Sequence, residues 1–127
     1  SRGSRCGIRA LKQVAGVTRD CTAETIAFKL SPRLNAAGRL DHAMLGVQLL
    51  TTESPAEAQR LAERLEQLNR ERQKIEADMM AEAVETVTER DLPAALVLAS
   101  RRWHVGVVGI AAARLVERFQ RPKLTYK

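Results

Sequence analysis

A chain of 127 residues with 45% hydrophobic content is long enough for one small domain and too apolar for global disorder. Aromatic residues make up 3%, so Leu, Val, Ala and Ile must build the core, and no apolar run approaches the roughly 20 residues of a membrane helix. The net charge of +6 is uneven: residues 1–50 carry +5, residues 51–91 carry −5 and residues 92–127 carry +6, so two basic segments flank an acidic one.

Such a layout suits a polyanion partner, although an ordinary basic surface has the same charge. The opening Ser-Arg-Gly-Ser-Arg has neither Met nor an apolar h-region and reads as no secretory leader. Cys6 and Cys21 lack zinc spacing and a His pair, and read as reduced, half-buried thiols of a cytoplasmic protein. Gly7 to Ala15 places Ile8, Leu11 and Val14 at helical spacing, with Gly16 as the stop. Thr22 is the N-cap of a short helix carrying Ile26, Phe28 and Leu30.

Ser31 to Leu40, Ser-Pro-Arg-Leu-Asn-Ala-Ala-Gly-Arg-Leu, is the least generic stretch. Pro32 disfavours helix at Ser31, and Gly38 permits backbone angles that other residues resist, which predicts a tight turn. Arg33 and Arg39 supply two forked cationic donors of the kind that suits phosphate oxygens, with the Asn35 amide between them. The same arginines suit two structural tasks: capping a neighbouring helix C-terminus, or pairing with Glu on the acidic helix further on. Asp41 then reads as the N-cap of a helix whose apolar body is Met44, Leu45, Val47, Leu49 and Leu50. His42, in its first turn, reads as a surface or packing residue rather than a metal ligand.

Ser54 and Pro55 open a new helix in the order cap, then proline, and Glu57 completes a capping box. No Gly or Pro interrupts it to about Glu89. Ala58, Leu61, Leu65, Leu68, Ile75, Met79, Ala83 and Val87 form one apolar stripe, broken only where Arg72 falls on it. Its length suits a coiled-coil strand or a strut between two lobes, and the break at Arg72, with no second such strand in the sequence, favours the strut. Asn69, Arg70, Arg72 and Gln73 cluster midway, either as a solvated face with pairs such as Glu66–Arg70 or as a polar seam facing a groove. Asp91, Leu92 and Pro93 break the helix. Ala94 to Ala99 is a continuous apolar run that predicts a buried strand. Trp103-His-Val-Gly-Val-Val-Gly-Ile110 follows, with Gly106 and Gly109 bracketing the start of a helix that Pro122 ends, before a second strand at Lys123 to Tyr126. A glycine turn at a helix N-terminus is a candidate anion site, with His104 beside it and Trp103 as a core or rim aromatic.

Phe28-Lys-Leu-Ser-Pro-Arg-Leu-Asn-Ala-Ala-Gly-Arg-Leu40, Leu68-Asn-Arg-Glu-Arg-Gln-Lys-Ile-Glu76 and Trp103-His-Val-Gly-Val-Val-Gly-Ile110 together resemble, in order and spacing, the RecJ family of single-stranded-DNA-specific 5′→3′ exonucleases within the DHH phosphoesterase superfamily. The resemblance runs from about Gly7 to Lys127. It implies a mostly helical α/β fragment: residues 1–53 as the end of the DHH lobe, 54–91 as the connecting helix, and 92–127 as the strand-helix-strand start of the DHH-associated lobe. It implies hydrolysis of phosphodiesters with Mn²⁺ or Mg²⁺ in the intact enzyme, in DNA recombination and repair. The metal ligands of such enzymes, including an Asp-His-His motif, lie before the matched region, and Asp41-His42 is only a dipeptide. No catalytic or metal-binding residue is therefore expected here. The expected phosphate and nucleic-acid contacts are Arg33, Asn35, Arg39, His104 and Gly106, with Arg70, Arg72 and Trp103 as secondary contacts. The implied partners are single-stranded DNA and, as a candidate, single-stranded-DNA-binding protein, for a monomer that needs no membrane. The alternatives are a DHH-family phosphoesterase acting on oligonucleotides or cyclic dinucleotides, and a non-catalytic basic nucleic-acid-binding module.

Overall fold

The computed structural model describes residues 5–87, 93–121 and 123–126. The chain divides into two units, residues 1–71 and 72–127.

In the first unit, α1 (Cys6–Val14) ends as its glycine predicts. Gly16 takes φ +67°, its N–H bonds the Gln13 carbonyl, and the Val17 N–H bonds that of Lys12 at 2.9 Å, a Schellman ending. Thr22 caps α2 (Ala23–Thr25), its hydroxyl oxygen accepting the Thr25 N–H at 3.1 Å. The chain then widens into a π-turn (Ile26–Leu30) and continues without a break into α3 (Ser31–Leu40). The turn expected at Ser31–Leu40 is therefore a helix. Pro32 does not break it, because it sits in the first turn of α3. The widened turn before it bonds the Ser31 N–H to the Ile26 carbonyl, one residue further back than in an α-helix.

Asp41 closes α3 instead of opening α4 (Met44–Thr51), whose N-cap Ala43 makes no side-chain bond. The Asp41 carboxylate is drawn to Arg64, whose Nη2 donates to it at 3.0 Å. α1 and α4 approach so closely that a Cβ on Gly7 would overlap the Leu49 carbonyl oxygen, which accounts for glycine there. Cys6, half-buried as expected, donates its thiol to the Thr52 carbonyl at 2.9 Å, whereas Cys21 is exposed.

α5 (Pro55–Thr86) is one helix of 32 residues, about 48 Å long at 1.5 Å per residue, and it passes through the division between the units. Its capping box is half made. Ser54 Oγ accepts the Glu57 N–H, but the Glu57 carboxylate turns to the Thr52 hydroxyl, and that hydroxyl oxygen accepts the Ser54 N–H. Ala58, Leu61, Ala62, Leu65 and Leu68 of α5 are buried in a cluster with Leu11, Leu30, Ala36, Ala37 and Leu49. Each fully buried leucine there contributes about 1.5–3 kcal/mol of apolar transfer. Leucine and alanine thus make the core that the low aromatic content predicts.

In the second unit, the stripe of α5 continues through buried Met79 and Ala83. β1 (Leu96–Ala99) pairs in parallel with β2 (Lys123–Tyr126), Leu96 opposite Lys123 and Ala99 opposite Tyr126, joined through α6 (Val105–Phe119). The mostly helical α/β character read from the sequence is observed. β1 is not buried on both sides: Leu96 and Leu98 are buried but Val97 is 63% exposed, because the described residues cover one face of the strand. Gly106 and Gly109 lie within α6, and the turn before it is made by Ser100 to Trp103. Gln120, in a left-handed conformation at φ 52°, ends α6. Glu89, Asp91, Leu92 and Pro122, expected to mark helix ends, lie outside the described residues.

Candidate functional site

The helical form of Ser31–Leu40 sorts its side chains by face. Ala36 and Ala37 point into the core, while Asn35, Gly38 and Arg39 are exposed. Asn35 and Arg39, four apart, share one face of α3. Arg33 faces the other way. Its Nε donates to Glu66 of α5 at 2.5 Å and its Nη1 to the Lys29 carbonyl in the π-turn at 2.6 Å. Its side chain is 15% exposed and that of Glu66 17%. This is the pairing with the acidic helix that the sequence left open. Glu66 also accepts from the expected i,i+4 partner Arg70, which is exposed.

In the second unit, Arg72, the residue that breaks the apolar stripe, donates to Glu76 four residues on. Glu76 is buried, and its second oxygen accepts from Nε of Arg114 on α6. A buried carboxylate held by two guanidiniums is a satisfied one. Sequence reasoning missed Glu76 and Arg114. The signals were a glutamate four residues after the stripe's arginine and an arginine within the otherwise apolar Val105 to Val116. Asn69, in the polar cluster of α5, is buried.

The expected anion site at Gly106 is differently occupied. His104 is the N-cap of α6, and its Nδ1 accepts the Gly106 N–H at 3.0 Å, while its carbonyl accepts the Val107 and Val108 N–H groups. The imidazole thus fills the helix end and leaves its Nε2–H as a donor. Trp103 is buried, and its indole N–H acts on the Glu82 carboxylate without completing a hydrogen bond of normal geometry. Partial burial raises the Glu82 pKa, but the neighbouring donors of Ser100, Trp103 and Arg102, with the Arg102 charge, outweigh it and hold the carboxyl below its usual 4.5. Arg33, Asn35, Arg39 and Arg70 belong to one unit, and Arg72, Trp103, His104 and Gly106 to the other.

Among the described residues, no three His, Cys, Asp or Glu side chains stand together to hold a metal, and no helix is long and apolar enough to cross a membrane.

No family model matches the chain. It is 44% identical over 125 residues to the single-stranded-DNA-specific exonuclease RecJ of Bacillus subtilis, covering 97% of this chain and 16% of that protein. It is 43% identical over 136 residues to RecJ of Escherichia coli, covering 98% of this chain and 23% of the relative. The chain therefore spans less than a quarter of these relatives. A crystal structure of exonuclease RecJ bound to manganese superposes with a TM-score of 0.86 at 36% identity, over 97% of this chain and 31% of the other. RecJ from Thermus thermophilus in complex with Mg²⁺ superposes at 0.85 and 37% identity, over 97% of this chain and 19% of that one. The resemblance carried by the three motifs is borne out in sequence and in fold.

Proposed function

We propose that this chain, RecJ-like in sequence and fold over 97% of its length, is an internal segment of a single-stranded-DNA-specific exonuclease that hydrolyses phosphodiesters from the 5′ end in DNA recombination and repair. The near-complete match to RecJ is the observation that carries this reading. The RecJ crystals hold manganese or magnesium, and the described residues of this chain do not fit such an ion. Metal-dependent hydrolysis thus belongs to the intact protein, and no catalytic step is assigned to these residues.

The segment's own work is binding and orientation. Arg39 and Asn35, exposed on one face of α3, contact the phosphate and sugar of the strand. Arg33, tied to Glu66 and the Lys29 carbonyl, fixes α3 and adds its charge to the same region. His104 offers an Nε2–H donor at the start of α6, with Gly106 holding its ring. Arg70 adds an exposed cation, and Arg72 and Trp103 shape the second unit. The divisions 1–53, 54–91 and 92–127 follow the DHH lobe, its connecting helix and the DHH-associated lobe. We place the protein in the cytoplasm as a monomer, with single-stranded-DNA-binding protein as a candidate partner.

The test is release of nucleotides from end-labelled single strands. The intact protein with Mn²⁺ degrades a single strand from its 5′ end and spares duplex, and the 127-residue chain alone releases none. Absence of single-strand degradation by the intact protein with either metal would overturn the reading, and turnover only of short oligonucleotides or cyclic dinucleotides would move it to another DHH phosphoesterase.

A further inference from the structure

We infer that Arg114 is a second phosphate contact, held ready by Glu76. Arg72, Gln73, Glu76, Ala77, Met80 and Arg114 line a depression of about 300 Å³ within the second unit. Glu76 at its base is 7% exposed and already balanced by Arg72, itself 11% exposed. Arg114 is a second cation on the same carboxylate. Its Nε is fixed by Glu76 while its side chain remains 59% exposed. Nη1 and Nη2 make no hydrogen bond to any described residue, so a two-pronged donor faces the depression. A guanidinium anchored at Nε loses little further freedom when it grips an anion, and its spacing matches two oxygens of one phosphate.

The ligand chemistry is a phosphate oxygen pair. Resting on the RecJ-type reading, its source is a backbone phosphodiester of single-stranded DNA rather than free phosphate. The test is equilibrium binding of an oligothymidylate to the intact protein with calcium in place of the catalytic metal, across a salt series, with melting temperatures measured alongside. Arg114→Gln flattens the slope of log K against log salt by about 0.7, the share of one single-strand contact. Arg114→Lys keeps that slope and loses a few-fold in affinity. Inorganic phosphate at the concentrations used leaves binding unchanged; competition at micromolar phosphate would reassign the site to the free anion and overturn the proposal. A folded Arg114→Gln with the parent slope overturns it. Should Arg114→Gln fail to fold, Arg114→Lys with parent affinity overturns it. Failure of the parent protein to bind the oligonucleotide at all would instead remove the RecJ-type reading on which it rests.

Discussion

Two carboxylates of α5, ten residues apart, make the same chemistry with opposite outcomes. Glu66 and Glu76 each hold one arginine of α5, four residues away, and one from another helix. At Glu66 the arginine from the other helix, Arg33, is enclosed and the arginine of α5, Arg70, stays in solvent. At Glu76 the roles reverse: Arg72 of α5 is enclosed and Arg114 of α6 is exposed. A guanidinium's freedom to meet a ligand is thus set by which partner lies on the dry side of the carboxylate. The motif that carries the arginine does not decide it.

The largest disruption is loss of the helix that carries both pairs. Leu65 is fully buried in α5, and Leu65→Pro removes a backbone bond and its packing, a cost of ~3 kcal/mol or more from the proline alone. Circular dichroism should show most of the native helical signal gone; a variant with parent ellipticity and melting would contradict a continuous α5.

Next come the carboxylates themselves. Glu76→Ala takes the shared carboxylate away from the enclosed Arg72 and from Arg114, and should destabilise by about 3–5 kcal/mol in urea titration. Glu66→Ala leaves Arg33 a carbonyl partner and some solvent, and should cost about 1.5–3 kcal/mol. Equal losses would mean that the two sites are equally dry and that the contrast fails.

A smaller effect separates Arg33 from Arg39 on α3. Arg33→Ala should lower the melting temperature by several degrees, and Arg39→Ala, at an exposed position, by less. In DNA binding by the intact protein, Arg39→Ala should flatten the salt slope by about 0.7. A stability loss at Arg39 with an unchanged slope would return it to a structural role.

The smallest effect belongs to a third carboxylate of α5, Glu82, whose partner Arg102 is largely exposed. Its pKa is lowered on folding, so the folded state binds the proton less well than the unfolded one. The stabilisation is complete above about pH 4.5 and fades as the pH falls through the folded value. Thermal melts in acid should therefore decline slightly less in Glu82→Gln than in the parent, and identical acid profiles would show that Arg102 and Ser100 do not hold this carboxylate.

What the sequence disclosed was chemistry closed within a turn or two. Gly16, Thr22 and the Ser54-Pro55 pair act on neighbours three to five residues away, and each does so in the structure. The Glu66–Arg70 pair was legible for the same reason. The halves that came from other helices were not, since Arg33 meets Glu66 from 33 residues away and Arg114 meets Glu76 from 38. Asp41 was misread because Arg64, 23 residues on, outcompetes the local cap. The turn expected at Pro32 failed on a subtler point. A proline is costly only where a regular helix would need its N–H, and the π-turn displaces that need. The proposed contact residues could be picked from the sequence as residue types and not as faces, because the alternation of Ala36 and Ala37 with Asn35 and Arg39 takes its meaning from helix, not turn.

That π-turn also says which changes of chain length this region tolerates. A widened turn is how a helix takes in one surplus residue without rotating the helix beyond it. Removing one residue between Ile26 and Leu30 would let the coil close to regular α geometry with its two flanks still in phase, so that Arg33 keeps its aim on Glu66 and Arg39 keeps its outward face. Adding one would overfill a turn already carrying its surplus and swing α3 by about 100°. Natural variation in length at this point should therefore run toward deletion.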